Sequence, residues 1–157
     1  MFDTINGLPI HPLVVHAVVV LLPLSILGVL ALVIRPAWRS RYGVLVAGCT
    51  LVATLLIPVA TSSGESLERH VGNPGEHAEL GDQLLWFAIP LLIAAVALVL
   101  VERGYAGRLA RPQVVSAAVS VVAVVSAVAA GVQVYRVGDS GARAAWGSQV
   151  SGQAHGR

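Results

Sequence analysis

Four long apolar runs separated by short polar segments dominate the chain, at 13–34, 43–61, 84–101 and 114–134. Each is about 20 residues long, and at ~1.5 Å rise per residue a helix of that length crosses a hydrocarbon core of about 30 Å. The pattern therefore predicts an all-α, integral membrane four-helix bundle. Pro12 suits the first turn of the first helix, where its missing N–H has no partner to lose. Pro23, Pro58 and Pro90 fall inside or near the ends of later turns, where kinks are expected and where neighbouring helices satisfy the freed carbonyls. Residues 62–83 form the one substantial polar connection, and Asn73-Pro74-Gly75 is a turn signal that divides it. Glu76–Asp82 is then expected to be the acidic start of the third helix. The spacing predicts a single four-helix transmembrane domain over 1–147 and a disordered polar tail over 148–157.

Composition agrees with lipid as part of the solvent. Of 157 residues, 56% are hydrophobic and only 11% charged, with mean hydropathy +0.80, whereas a soluble domain carries about 25% charged residues. Cys49 stands alone, which excludes an internal disulfide and a cysteine-rich metal site. All ten basic residues are arginine and the net charge is only +2, without the clustered basic face that nucleic-acid binding requires. The head Met1–Pro12 has no basic residue and the run after it is long, unlike a cleaved signal peptide, so the first span reads as a retained anchor. Arg35, Arg39, Arg41, Arg103, Arg108 and Arg111 flank one side of the four spans, against Arg69, Arg136 and Arg143 near the other. Positive-inside counting places the first group in the cytoplasm and both termini outside.

Four spans also gather the polar chemistry at one membrane face: His11, His16, His70, His77, the carboxylates of residues 62–83, Gln133, Tyr135, Arg136 and Asp139. Ionisable side chains are costly in membrane helices, so those placed there are functional candidates. His11 and His16 are five positions apart and point about 140° from each other on one helix, so a shared ligand needs a second element. The best pairing is His16 on the first span with His77 at the head of the third. Imidazole ligates haem iron, copper and zinc, and bundle cofactors are held between facing helices. The competing reading makes His16 a packing residue, His11 a helix-entry residue, and His70 and His77 solvated loop residues. Glu65, Glu68 and Arg69 fit a salt-bridged turn or a proton relay. Tyr135, Arg136 and Asp139 fit a lock holding the tail against the acidic loop. Cys49 reads as a small apolar filler.

No serine nucleophile elbow, phosphate loop or zincin helix is present, so the sequence assigns no enzymatic reaction to the chain on its own. Ala123, Ala127 and Gly131 recur at i, i+4, a small-residue seam that lets helix backbones approach closely in lipid.

Gly-Leu-Pro-Ile-His-Pro-Leu-Val-Val-His at 7–16, Ser-Gly-Glu at 63–65, His-Ala-Glu-Leu-Gly-Asp at 77–82 and Val-Tyr-Arg-Val-Gly-Asp-Ser-Gly-Ala at 134–142 resemble motifs of a bacterial membrane family catalogued as domain of unknown function 2231. The resemblance covers nearly the whole chain and implies a four-helix inner-membrane protein whose motif histidines are His11, His16 and His77. Some members of that family look to be joined to Rieske-type iron–sulfur domains, which implies redox company; the Rieske cysteine pairs are not in this sequence.

The resulting expectation is a multi-pass protein of the bacterial inner membrane with a histidine-lined site at its extracytoplasmic face. That site would bind b-type haem, or copper or zinc, for electron transfer. His16 and His77 would be the ligands of haem or metal, with His11 and Glu65 orienting them. Its partners would be the lipid bilayer and a redox membrane protein or further copies of itself. The alternative expectation is a cofactor-free accessory or scaffold subunit that docks another membrane protein through the Ala123/Ala127/Gly131 seam.

Overall fold

The computed structural model describes residues 4–5, 8–71, 75–104 and 111–154, with side chains for 12–65, 75–104 and 111–144. A two-residue antiparallel ladder, β1 (Thr4–Ile5) with β2 (Leu8–Pro9), precedes four long helices: α1 (Ile10–Ile34), α2 (Arg39–Val71), α3 (Glu76–Glu102) and α4 (Pro112–Ala154). All four are long and apolar enough to cross a membrane. Helices satisfy their own backbone polar groups, which is what a stretch surrounded by lipid requires.

The helices run alternately up and down and form a ring in chain order, with α4 returning beside α1. Apolar positions three and four apart turn inward, such as Val18, Leu22, Val29 and Leu32 of α1 and Leu84, Leu91 and Leu98 of α3. The outward positions are equally apolar: Val19, Val20, Leu24 and Leu27 of α1 are well exposed, as a lipid-facing surface must be. The core also contains a set of alanines, Ala88 and Ala95 of α3 with Ala123, Ala127 and Ala130 of α4, all fully buried. Ala123 and Ala127 are each 0% exposed, so they form an internal packing surface. This corrects the docking expectation: two of the three seam residues already pack inside the bundle, and Gly131 is half-buried with open space beside it.

Gly28 marks the α1–α2 crossing, where an added Cβ would lie 3.0 Å from Cγ2 of Val46. Gly28→Val is expected to lower stability by about 1–3 kcal/mol through overpacking. Combining it with Val46→Ala should recover much of that loss, measured as thermal midpoints in detergent. Additive losses from the two changes would contradict the close approach.

The helix ends depart from expectation. α2 was expected to stop near Thr61 and instead continues to Val71, taking Glu65, Glu68, Arg69 and His70 into the helix. α4 continues to Ala154, so residues 148–154 of the tail expected to be disordered are helical. At ~1.5 Å per residue the 33 residues of α2 and 43 of α4 reach about 50 and 65 Å. Both therefore project beyond the bilayer core at the end where α1 and α3 begin. A polar sequence marks where a helix leaves lipid, but an established helix propagates at one hydrogen bond per added residue. Pro23, Pro58 and Pro90 lie inside continuous helices.

At the opposite end Arg39 is not the loop arginine it resembles in sequence. It opens α2 and is only 6% exposed. Its Nε donates to the Leu32 carbonyl at the end of α1 (2.9 Å), and Nη2 donates to Ser120 Oγ of α4 (3.0 Å). One guanidinium thus ties three helices together.

Candidate functional site

The polar end of the bundle is organised by contacts between α3 and α4. Gly75 adopts a positive φ of 63° and turns the chain into α3, with its carbonyl accepting from the Ala78 N–H (3.0 Å). His77 follows within the first turn and faces α4. Its Nδ1 lies 3.2 Å from the Val137 carbonyl and 3.2 Å from Ser140 Oγ, while Ser140 Oγ itself donates to Val137 O (2.9 Å). The ring rests on Gly141, where an added Cβ would sit 3.0 Å from Cε1 and 3.2 Å from Nδ1. Only a residue without a Cβ lets the imidazole come this close.

About one turn deeper a second rung repeats the theme. Gln133 is 1% exposed, and its Nε2 donates to the Leu80 carbonyl of α3 (2.9 Å). Its Oε1 accepts from Nη1 of Arg136 (3.4 Å). A buried amide is costly unless bonded, and here both of its ends have partners.

These contacts favour one tautomer of His77. Val137 O can only accept, and the single Ser140 hydroxyl hydrogen is already directed at it. With the hydroxyl so directed, Nδ1 is the donor to these oxygens, and in that neutral tautomer Nε2 keeps its lone pair. His16 reaches the same state by a different route. Its Nδ1 lies 2.5 Å from the Pro12 carbonyl one turn back in α1, again a group that only accepts. In this tautomer both rings present an Nε2 lone pair, the form in which imidazole ligates iron, copper or zinc.

His16 is exposed, and its bond is local to α1, whereas His77 is half-buried against α4. No hydrogen bond among the described residues joins the two, and α1 and α3 lie diagonally across the ring. The backbone of His11 and His70 is helical, but their side chains lie outside the described residues, as do those of Glu68 and Arg69. Glu65 is exposed on α2, and no hydrogen bond or ion pair to it is found among the described side chains. Among the described residues no three His, Cys, Asp or Glu side chains converge as a metal site. Haem held by two histidines needs no such group.

The expected Tyr135/Arg136/Asp139 lock takes another form. Asp139 pairs with Arg143 on its own exposed helix face, Arg136 reaches Gln133, and Tyr135 points outward. Trp86 is largely exposed near the start of the third span, as an interfacial anchor would be. Cys49 is a half-buried free thiol.

Sequence reasoning missed Ser140 and Gly141 as partners of His77, and treated Gln133 as one polar residue among many. The available signal was a lone amide inside an apolar run, which rarely goes unpartnered in a membrane helix.

A family model described as predicted membrane protein, domain of unknown function 2231, matches residues 7–154. No curated protein and no solved structure matches the chain.

Proposed function

The chain belongs to the family of predicted membrane proteins catalogued as domain of unknown function 2231, and from that premise we propose that its polar end holds a b-type haem between His16 and His77 for electron transfer. The observation that carries this reading is a shared contact: each Nδ1 lies at hydrogen-bonding distance from a backbone carbonyl, which favours the tautomer whose Nε2 can ligate. A bound haem would supply one-electron chemistry. The chain's own residues fix the two rings. Pro12 O holds His16 on α1, while Val137 O, Ser140 and Gly141 hold His77 on α4. The bond from Gln133 to the Leu80 carbonyl ties α3 to α4 about one turn below His77. His11 and Glu65 belong to the same end and would complete the orientation of the ligands. Copper or zinc would use the same nitrogen pair.

The arginine-rich end is proposed to face the cytoplasm, which puts the histidines on the extracytoplasmic side of the bacterial inner membrane, within reach of a redox membrane partner. In a Cys49→Ala background, Glu79→Cys should then react with an impermeant maleimide added outside intact cells. Protection there, with labelling only after lysis, would reverse the orientation.

The haem itself is tested by purifying the protein from haem-replete cells in mild detergent, then recording oxidised and dithionite-reduced spectra with metal analysis on the same sample. Soret and alpha bands at about one haem per chain are expected. Stoichiometric copper or zinc without bands would replace haem by metal. Neither bands nor metal would end the electron-transfer reading.

A further inference from the structure

The arginine-rich end carries a charge arrangement that the histidine site does not use. We infer that Arg39 is the centre of a binding site for the phosphodiester of an anionic phospholipid, such as phosphatidylglycerol.

A guanidinium cannot shed its charge, and burying it without a counter-ion is expensive. Arg39 is buried at the junction of α1, α2 and α4, yet its protein partners are two neutral oxygens, Leu32 O and Ser120 Oγ. Ser120 Oγ is in turn tied to Ser116 O (2.9 Å), so the acceptor is held in place. No carboxylate among the described residues lies within 4.0 Å of Arg39, and Glu102 is the one acidic residue in the segments at this end. The sequence of 105–110, Tyr-Ala-Gly-Arg-Leu-Ala, supplies none either. Nε and Nη2 are committed to the protein, while Nη1 has no bond among the described residues and is not a buried unsatisfied atom. It is therefore not completely sealed from the surface, and it is the guanidinium nitrogen left to meet an anion.

The surroundings say which anion. Arg35 lies over the Trp38 ring and Arg41 over the Tyr42 ring, each 5.5 Å from the centroid, and the two rings meet edge-to-face at 6.0 Å. Aromatic rings of this kind settle at the headgroup level of a bilayer, and flanking arginines attract its negative charge. The amino end of α4 lies at this same end. A phosphate anchored by acyl chains against the apolar outer face meets all of these features, whereas free phosphate would use only the charge.

The experiment is native mass spectrometry of the full chain, released from nanodiscs of phosphatidylcholine mixed with phosphatidylglycerol. One retained phosphatidylglycerol is expected, at a preference of about fivefold over phosphatidylcholine, which is the order one well-placed arginine supplies. Arg39→Gln should bring that preference to near unity. Arg103→Gln, an exposed arginine at the same end, should leave most of it. If Arg39→Gln does not insert, Ser120→Ala removes one brace of the guanidinium and should reduce the preference with the charge intact. Inorganic phosphate should not displace the lipid. Equal retention of the two lipids by the unaltered protein, an unchanged preference in Arg39→Gln or in Ser120→Ala, or displacement by inorganic phosphate would each overturn the inference.

Discussion

Gly141→Val is expected to be among the most damaging single substitutions at the polar end. The new Cβ would stand 3.0 Å from Cε1 of His77 before its two methyls are counted. The imidazole would have to leave Val137 O and Ser140 Oγ, with loss of two contacts between α3 and α4. Overpacking of this kind costs about 1–3 kcal/mol, against a gain of only a few tenths from replacing glycine in a helix. The loss should appear as a lower thermal midpoint and faster amide exchange at the start of α3. Gly138→Val supplies the contrast, because an added Cβ there meets nothing within 4 Å. That variant should match the unaltered protein or slightly exceed it. Equal behaviour of the two variants would remove the close His77–Gly141 contact from the account.

The second large effect separates the two histidines. His16→Ala and His77→Ala should each weaken hemin binding and change the proposed haem bands, since the site would lose one of the two residues that would hold the haem. Their effects on stability should differ. His77 bridges two helices, so its loss leaves a void on Gly141 and is expected to cost about 1–3 kcal/mol. His16 is exposed and bonds only within α1, so its loss should fall within about 0.5 kcal/mol. Titrating each purified variant with hemin and then heating it reads both quantities. Unchanged bands and hemin binding in both variants would refute the ligand assignment, while equal destabilisation would refute the placement of His16.

Particular residues explain how far the fold was legible beforehand. The existence and order of four helices follow from the apolar runs, because little else can span a membrane. Their ends do not, since Ser62–Val71 and Tyr135–Ala154 look like loop and tail when polarity is taken as the boundary of structure. The i, i+4 spacing of Ala123 and Ala127 revealed a packing face but could not say whether its partners came from the same chain; both residues are buried in the core of this one bundle. Arg39 shows the same limit from another side. Its charge counted toward topology in sequence, whereas its burial depends on Leu32 and Ser120, which only the folded bundle brings together.

The candidate site was legible as a gathering of polar residues at one end, and His77 stood out within it. What holds His77 was not legible. Its partners are a backbone carbonyl, a serine hydroxyl and a glycine, groups that carry little signal when a sequence is searched for ligating or catalytic side chains. The Nδ1-protonated state, on which the functional reading turns, follows only from those contacts.

That state is the central claim, and it can be measured directly. Solid-state NMR of the protein labelled with 15N-histidine, in bilayers at a pH where the rings are neutral, distinguishes the two tautomers by their nitrogen shifts. The account predicts protonated Nδ1 and unprotonated Nε2 for both His16 and His77, assigned by loss of each signal in the corresponding alanine variant. Protonated Nε2 at His77 would contradict the proton assignment drawn from Val137 and Ser140, and with it the proposal that this end of the bundle presents ligands.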